Sequence, residues 1–104
     1  MYSGDFEFVW DARKSEMNLA LRGFDFLFAT RIFSGATVER ADDRRDYGEP
    51  RFVALGVVDD ICLTVVCTDR RKASGDIERR IISAPLSNRK ERMAYEEATR
   101  KIHA

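Results

Sequence analysis

Arginine is the side chain that most suggests chemistry in this sequence. Fourteen of the 18 basic residues are arginines and four are lysines. A guanidinium group stays charged at any working pH, and its planar fork matches phosphate and carboxylate oxygens. Residues 1–69 hold 8 basic and 13 acidic side chains, a balance of −5, whereas residues 70–104 hold 10 and 5, a balance of +5. The C-terminal third therefore favours an anionic partner, although a solvated arginine-rich surface explains the composition equally well.

Groups for metal binding and histidine chemistry are scarce. Cys62, Cys67 and the single histidine, His103, cannot supply the three or four soft ligands of structural zinc. The cysteines are expected on opposite faces of one strand, so they should not bridge, and His103 lies in a tail expected to fray. No apolar run approaches the ~20 residues of a membrane span, and the acidic N-terminus does not resemble a secretory signal. We therefore expect a reduced, cytoplasmic protein with one domain, residues 1–104, and no metal or cofactor.

The elements that would position these side chains begin with a strand and two helices. Alternation of strong strand formers predicts a first strand near Phe6–Trp10. Asp11 and Gly23 are typical of the two ends of a helix, and Asp25 begins a second helix that ends before Gly35. The apolar stripe of the first helix would consist of Met17, Ala20 and Leu21. Phe26, Phe28 and Phe33 join Met17 as predicted core residues, or partly as a docking surface for another protein.

Strands dominate the second half of the sequence, at about 36–41, 51–58, 61–68 and 77–84. Asp59 and Asp60 fit a two-residue hairpin turn between two of them. Asn88 and Glu91 form the pattern of a capping box for a final, basic helix. The predicted fold class is therefore α+β: an antiparallel sheet of about four strands with two N-terminal helices and a C-terminal helix.

Several segments, taken in order, resemble a known family. The opening Phe8-x-Trp10-Asp11-x-x-Lys14-x-x-x-Asn18-x-x-x-x-Gly23 is similar to that of the BrnT-like toxins. The pattern continues with Glu49-x-Arg51-Phe52-x-Ala54-Leu55-Gly56, then Arg80-Ile81-Ile82-Ser83-Ala84, then Glu91-Arg92-x-x-Tyr95-Glu96. These segments span nearly the whole chain at matching spacings, so the chain is identified as a member of this family.

The resemblance implies a fold similar to RelE-like ribonucleases and the toxin half of a bacterial type II toxin–antitoxin pair. Such a toxin cleaves RNA, here without a metal ion, and is neutralised by a cognate antitoxin, through which alone it meets operator DNA. The sequence departs from the family pattern at Leu21 and Arg22, where members often carry Lys-His, and at Pro85, where they usually carry arginine. Cys67 replaces a common aromatic residue. These departures remove a candidate acid or base and a candidate phosphate ligand, which bears on activity rather than fold.

RNA cleavage without a metal ion needs a base near the 2′-hydroxyl, an acid near the leaving oxygen and cations on the phosphoryl oxygens. The candidates implied are Arg80, Arg92 and Tyr95, of which the last two share a helix face. A tyrosine with a pKa of about 10 is a poor acid or base at neutral pH unless flanking cations lower that pKa, and arginines flank Tyr95 in this segment. Alternatively, Arg80 pairs with a carboxylate, and Tyr95 packs on the sheet while Arg92 pairs with Glu96. Glu91 could act as the base, although capping explains it better.

Further basic side chains are expected on the RNA backbone: Arg22, Arg44, Arg51, Arg70, Arg89 and Lys90. The alternative for Arg44 and Arg51 is pairing with acids of their own loop, and for Arg70 a solvated position. Three hypotheses follow. The chain is a ribonuclease toxin, or a catalytically weakened homologue that binds the antitoxin and tunes repression, or an RNA-binding module without cleavage. The last needs stacking aromatics, for which Tyr2 and Tyr47 offer little.

Overall fold

A computed structural model describes residues 6–103 of the chain. The elements are β1 (Phe6–Trp10), α1 (Ala12–Arg22), α2 (Phe26–Ala29), a 3-10 helix (Thr30–Ser34), β2 (Val38–Ala41), β3 (Phe52–Val58), β4 (Ile61–Arg71), β5 (Ile77–Ser83) and α3 (Arg89–His103). The predicted α+β class is confirmed. That residues 1–104 form one domain stays a prediction, and Tyr2 and the side chain of His103 lie outside the described residues.

Within residues 6–103 the sheet has five strands in the order β1-β5-β4-β3-β2. Strands β2 to β5 pair antiparallel, whereas β1 pairs parallel to β5, which sets Phe8 beside Arg79 and Trp10 beside Ile81. The predicted antiparallel sheet of about four strands is therefore wrong in detail. Phe8 and Trp10 pack against the core on the sheet face opposite α3. The pairing partner of β1 is β5, which is distant in sequence, so the local sequence pattern around β1 does not reveal the parallel pairing.

Helix α1 has the predicted ends. The Asp11 side chain accepts hydrogen bonds from two backbone N–H groups of the first turn, and Gly23 adopts φ 87° at the C-terminus. The Asp25 side chain likewise accepts the backbone N–H of Phe28, at 2.9 Å. The second predicted helix is only one α-helical turn, α2, which the 3-10 helix extends to Ser34, directly before Gly35.

The predicted apolar stripe of α1 is wrong. Met17 and Leu21 are 54% and 74% exposed, and the helix instead buries Ser15 and Asn18. The Ser15 hydroxyl accepts the backbone N–H of Phe26, and the Asn18 amide donates to the Phe24 carbonyl, both at 2.9 Å. Polar side chains thus attach α1 to the connection between α1 and α2, because the buried backbone groups of that connection need hydrogen-bond partners.

The main core lies between the sheet and the N-terminal helices. Its largest fully buried side chains are Phe26, Ile32, Leu63, Val65, Cys67 and Ile81. Phe28 and Phe33 pack against it, partly buried, whereas Met17 does not join it. On the opposite face of the sheet, Tyr95 of α3 packs against a smaller cluster of Val53, Leu55 and Val66. Both faces of β3 and β4 are therefore covered.

The β3–β4 hairpin turns at Asp59 and Asp60, whose φ angles are 50° and 66°, as the sequence predicts. Strand β4 runs to Arg71, three residues beyond the predicted end at 68. Ion pairs between β4 and β5, Asp69–Arg79 at 2.8 Å and Arg70–Glu78 at 3.2 Å, hold this polar extension in the ladder. Both cysteines are free.

Candidate active site

A cavity of about 290 Å³ opens at the polar ends of β4 and β5. The strand register sets Thr68 opposite Arg80 and Arg70 opposite Glu78. Because side chains alternate along a strand, these four project from the same face of the sheet as the Tyr95 cluster. The loop between β2 and β3 closes the cavity with Glu49 and Pro50.

Glu49 is the centre of the cavity's charge arrangement. Its carboxylate accepts hydrogen bonds from the Arg80 guanidinium at 3.0 Å and from Arg51 Nε at 3.2 Å. The Arg80 and Arg51 side chains are 49% and 22% exposed, and that of Glu49 is 32% exposed. One carboxylate thus lies between two guanidinium groups at a surface that solvent reaches. This combines a proton acceptor with cations suited to a phosphoryl group.

Three contacts fix the loop that carries Glu49. The Thr68 hydroxyl of β4 donates to the Pro50 carbonyl at 2.6 Å, and the backbone N–H of Asp42 donates to the Arg51 carbonyl at 2.8 Å. The Arg51 guanidinium carbon lies 4.1 Å from the centroid of the Tyr47 ring, a cation–π distance. Glu49 and Arg51 are therefore positioned by the sheet edge rather than by their own loop alone.

The three predicted catalytic residues have three different partners. Arg80 lines the cavity and pairs with Glu49, which is the carboxylate-pairing alternative. Arg92 donates to the Ser87 carbonyl at 2.9 Å rather than to Glu96. Tyr95 packs on the sheet, and its hydroxyl donates to the carbonyl of Ala36 at 2.9 Å. Burial raises the pKa of the Tyr95 phenol, so the condition that flanking arginines lower it is not met.

Three of the predicted RNA-binding residues pair with acids. Arg51 contacts Glu49 within the site, and Arg70 lines the cavity while pairing with Glu78. Arg44 lies in a local pair instead: its Nε and Nη2 contact the two oxygens of buried Asp42 at 2.7 and 2.9 Å. The Arg44 hydrogen bond holds the pKa of the Asp42 carboxyl below its ordinary value. Arg70 and Arg80 thus line the cavity, and Arg51 is linked to it through Glu49.

The remaining predicted RNA-binding residues lie on other surfaces. Arg22 ends α1 and donates to Asn18 Oδ1 at 2.7 Å. Arg89 and Lys90 are exposed in the first turn of α3, where Asn88 and Glu91 form the predicted capping box with two hydrogen bonds of 2.8 Å. Capping therefore occupies the carboxylate that was the alternative base.

Pro85, the position of a family arginine, lies beside the start of β4. Its carbonyl accepts the backbone N–H of Thr64 at 3.0 Å, and the Thr64 and Ser87 hydroxyls bond at 2.8 Å. Because Pro85 offers only its carbonyl, the missing N–H costs no hydrogen bond in this ladder. The departure at this position is accommodated by the local structure.

Glu49 and Glu78 are cavity residues that sequence reasoning missed. Glu49-x-Arg51 places two charged side chains two residues apart before a strand, a spacing that orients them alike. That spacing was the available signal for Glu49, whereas Glu78 gave none, because its partner Arg70 lies beyond the predicted end of the strand at residue 68. Among the described residues, no three His, Cys, Asp or Glu side chains are grouped to share a metal ion.

Residues 10–91 match the family described as ribonuclease toxin, BrnT, of type II toxin-antitoxin system. The chain belongs to this family. The matched range contains Glu49, Arg51, Arg70 and Arg80, and membership confirms the resemblance read from the sequence. A BrnT-family toxin of a type II system has a cognate antitoxin as partner. No curated protein matches the chain, and within residues 6–103 no helix is long and apolar enough to cross a membrane.

Proposed function

We propose that this BrnT-family chain is an endoribonuclease that cleaves RNA without a metal ion and is neutralised by its cognate antitoxin in the cytoplasm. The observation that carries the proposal is the Glu49 carboxylate between the Arg51 and Arg80 guanidinium groups in an open cavity. The fold is proposed to be RelE-like. Operator DNA would be contacted only through the antitoxin.

In this proposal the RNA phosphate replaces Glu49 as the partner of Arg80. Glu49 then takes the proton of the 2′-hydroxyl, and the 2′-oxygen attacks the adjacent phosphorus. The bond to the 5′-oxygen breaks, which leaves a 2′,3′-cyclic phosphate and a 5′-hydroxyl. Arg80, Arg51 and Arg70 stabilise the negative charge that develops on the phosphoryl oxygens.

Helix α3 would contribute the other two proposed catalytic residues. The raised pKa of the Tyr95 phenol keeps it protonated, which suits a donor to the leaving 5′-oxygen better than a base. Its hydroxyl bonds the Ala36 carbonyl just before β2, whereas Glu49 and Arg80 lie at the opposite end of the strands, so the donor role requires α3 to move along the sheet when RNA binds. Arg92 lies one helical turn before Tyr95 and would contact a neighbouring phosphate, as would Arg89 and Lys90.

The test is induced expression of the chain in bacteria, with and without the neighbouring reading frame, followed by cleavage assays on purified protein in EDTA. We expect growth arrest that the neighbour relieves, and RNA fragments with 2′,3′-cyclic ends whose yield EDTA does not change. Normal growth together with intact RNA, from soluble and folded protein, would reject the proposal. Cleavage that EDTA abolishes would reject only the metal-free mechanism.

The alternative is a catalytically weakened homologue that binds the antitoxin and tunes repression. One observation favours it: Glu49 already neutralises Arg80, the cation most central to the cavity. Under this alternative the purified chain binds the antitoxin and alters its operator binding but leaves RNA intact. Restoring the family arginine, Pro85→Arg, would then produce cleavage that the unchanged chain lacks.

A further inference from the structure

Exposed apolar side chains gather around the C-terminal half of α1. Eight large apolar residues are exposed among those that the structure describes, and five of them border two grooves beside this helix. One groove, of about 150 Å³, contains Met17, Leu21 and Ile82, and the other, of about 590 Å³, contains Leu19, Ile61 and Leu86. Adjoining exposed apolar surface of this kind marks an interaction site. We refer to the two grooves together as the α1 surface.

The α1 surface carries a fixed positive charge. Arg22 lines both grooves and Lys14 lies in the smaller one, while the one acid in either lining, Asp25 of the larger groove, caps α2 with its carboxylate. The Arg22 guanidinium donates to Asn18 Oδ1 at 2.7 Å, and Asn18 is itself buried and bonded to the Phe24 carbonyl. Because this buried amide orients Arg22, an incoming carboxylate would find the cation already in place, which lowers the entropy lost on binding.

We propose that the α1 surface is where the cognate antitoxin docks, through an acidic amphipathic segment. The apolar side chains of that segment would fill the two grooves, and a carboxylate would pair with Arg22. Charge complementarity selects this occupant over a second copy of the chain. A two-fold dimer through the same face would bring Lys14 and Arg22 of both copies into one interface, and like charges oppose such contact.

Docking on the α1 surface also accounts for inhibition of the proposed ribonuclease, and this step rests on the proposed function. Ile82 of the smaller groove and Arg80 of the cavity project from the same face of β5, two residues apart. That spacing corresponds to about 7 Å along a strand. An antitoxin segment anchored at Met17 and Leu21 and continuing along β5 would therefore cover Arg80 and exclude RNA.

The experiment measures binding of the purified product of the adjacent reading frame to the purified chain, by calorimetry, alongside relief of growth arrest. We expect Met17→Glu and Leu21→Glu each to raise Kd at least tenfold. Arrest should persist when the antitoxin is co-expressed with these variants. Both side chains are more than half exposed, so the variants should fold, which circular dichroism and the urea midpoint verify.

Met93→Glu is the matched control, because Met93 is 56% exposed but lies on α3. It should bind the antitoxin as the unchanged chain does. An unchanged Kd for both α1 variants would overturn the proposal. So would a dimer of the chain alone that Leu21→Glu dissociates, since the occupant would then be a second copy. If the unchanged chain causes no arrest, the ribonuclease proposal fails, while the Kd comparison still decides the docking surface.

Discussion

Glu49 is the residue on which the proposed chemistry depends most. In Glu49→Gln the side chain keeps its shape but cannot accept the 2′-hydroxyl proton. We expect the single-turnover cleavage rate to fall by about 10²-fold or more, the usual contribution of a positioned base. The exposed Glu96 on α3 provides the matched control, and Glu96→Gln should cleave at the original rate. Equal rates for the two variants would assign Glu49 a structural role only.

Asp42 gives a prediction for stability against pH. Its hydrogen bond with Arg44 lowers the pKa of the carboxyl in the folded state below the unfolded value, about 3.9. Its stabilising contribution is therefore complete above about pH 4 and lost as the pH falls through the lower folded-state pKa. The free energy of unfolding, from urea titrations, should exceed that of Asp42→Asn at pH 6. The difference should shrink by pH 2, and a constant difference would contradict this linkage.

At the residue scale, the sequence predicted those features whose hydrogen-bond partners lie close by in the chain. Asp11, Gly23 and the Asn88–Glu91 capping box have partners within a few positions, so spacing alone identified them. The pair of Glu49 with Arg80 joins residues 31 positions apart. Only tertiary structure brings those two together, which is why the sequence offered a carboxylate partner for Arg80 as an alternative but did not identify it as Glu49.

The 3-10 helix packs against β3 at Gly56, where Ile32 lies over the glycine. A Cβ placed there would lie 2.6 Å from Ile32 Cβ, so Gly56→Ala forces one element to move. We expect a loss of about 1–3 kcal/mol in the free energy of unfolding, as in other overpacked cores. Gly35→Ala is the control, because a Cβ there meets nothing within 4 Å, and it should change stability by about 0.5 kcal/mol or less. Similar losses in both variants would argue against close packing as the cause.

At the element scale, the positions of the strands in the sequence were predicted better than which strands pair or which face of an element is buried. The alternation in β1 identified a strand, but its parallel pairing with β5 depends on which surface buries Phe8. The stripe of α1 failed for a related reason. Spacing places Met17 and Leu21 on the helix, but the buried hydrogen bonds of Ser15 and Asn18 decide which side of it faces the core.

The whole molecule separates the cavity from the α1 surface, which share no lining residue. The two surfaces nevertheless lie close together, because β5 contributes Arg80 to the cavity and Ile82 to the α1 surface. Neither arrangement was readable from composition, since the basic surplus of residues 70–104 pointed to the C-terminal third as a whole. Glu49 pairs with Arg80 and Glu78 pairs with Arg70, so these acids neutralise part of the basic surplus at the cavity.

Arg80→Ala tests this separation directly. Removal of the guanidinium should abolish growth arrest, because the phosphoryl charge loses its central cation. Antitoxin binding should change by less than about threefold, since the proposed anchor lies in the α1 grooves and Arg80, which is already paired with Glu49, is only covered by the bound segment. Combining Arg80→Ala with Met17→Glu should therefore give the Kd of Met17→Glu alone. Retained arrest in Arg80→Ala would remove Arg80 from the catalytic set. A large loss of antitoxin affinity would instead mean that the antitoxin anchors on the cavity itself, and that inhibition and docking use one surface.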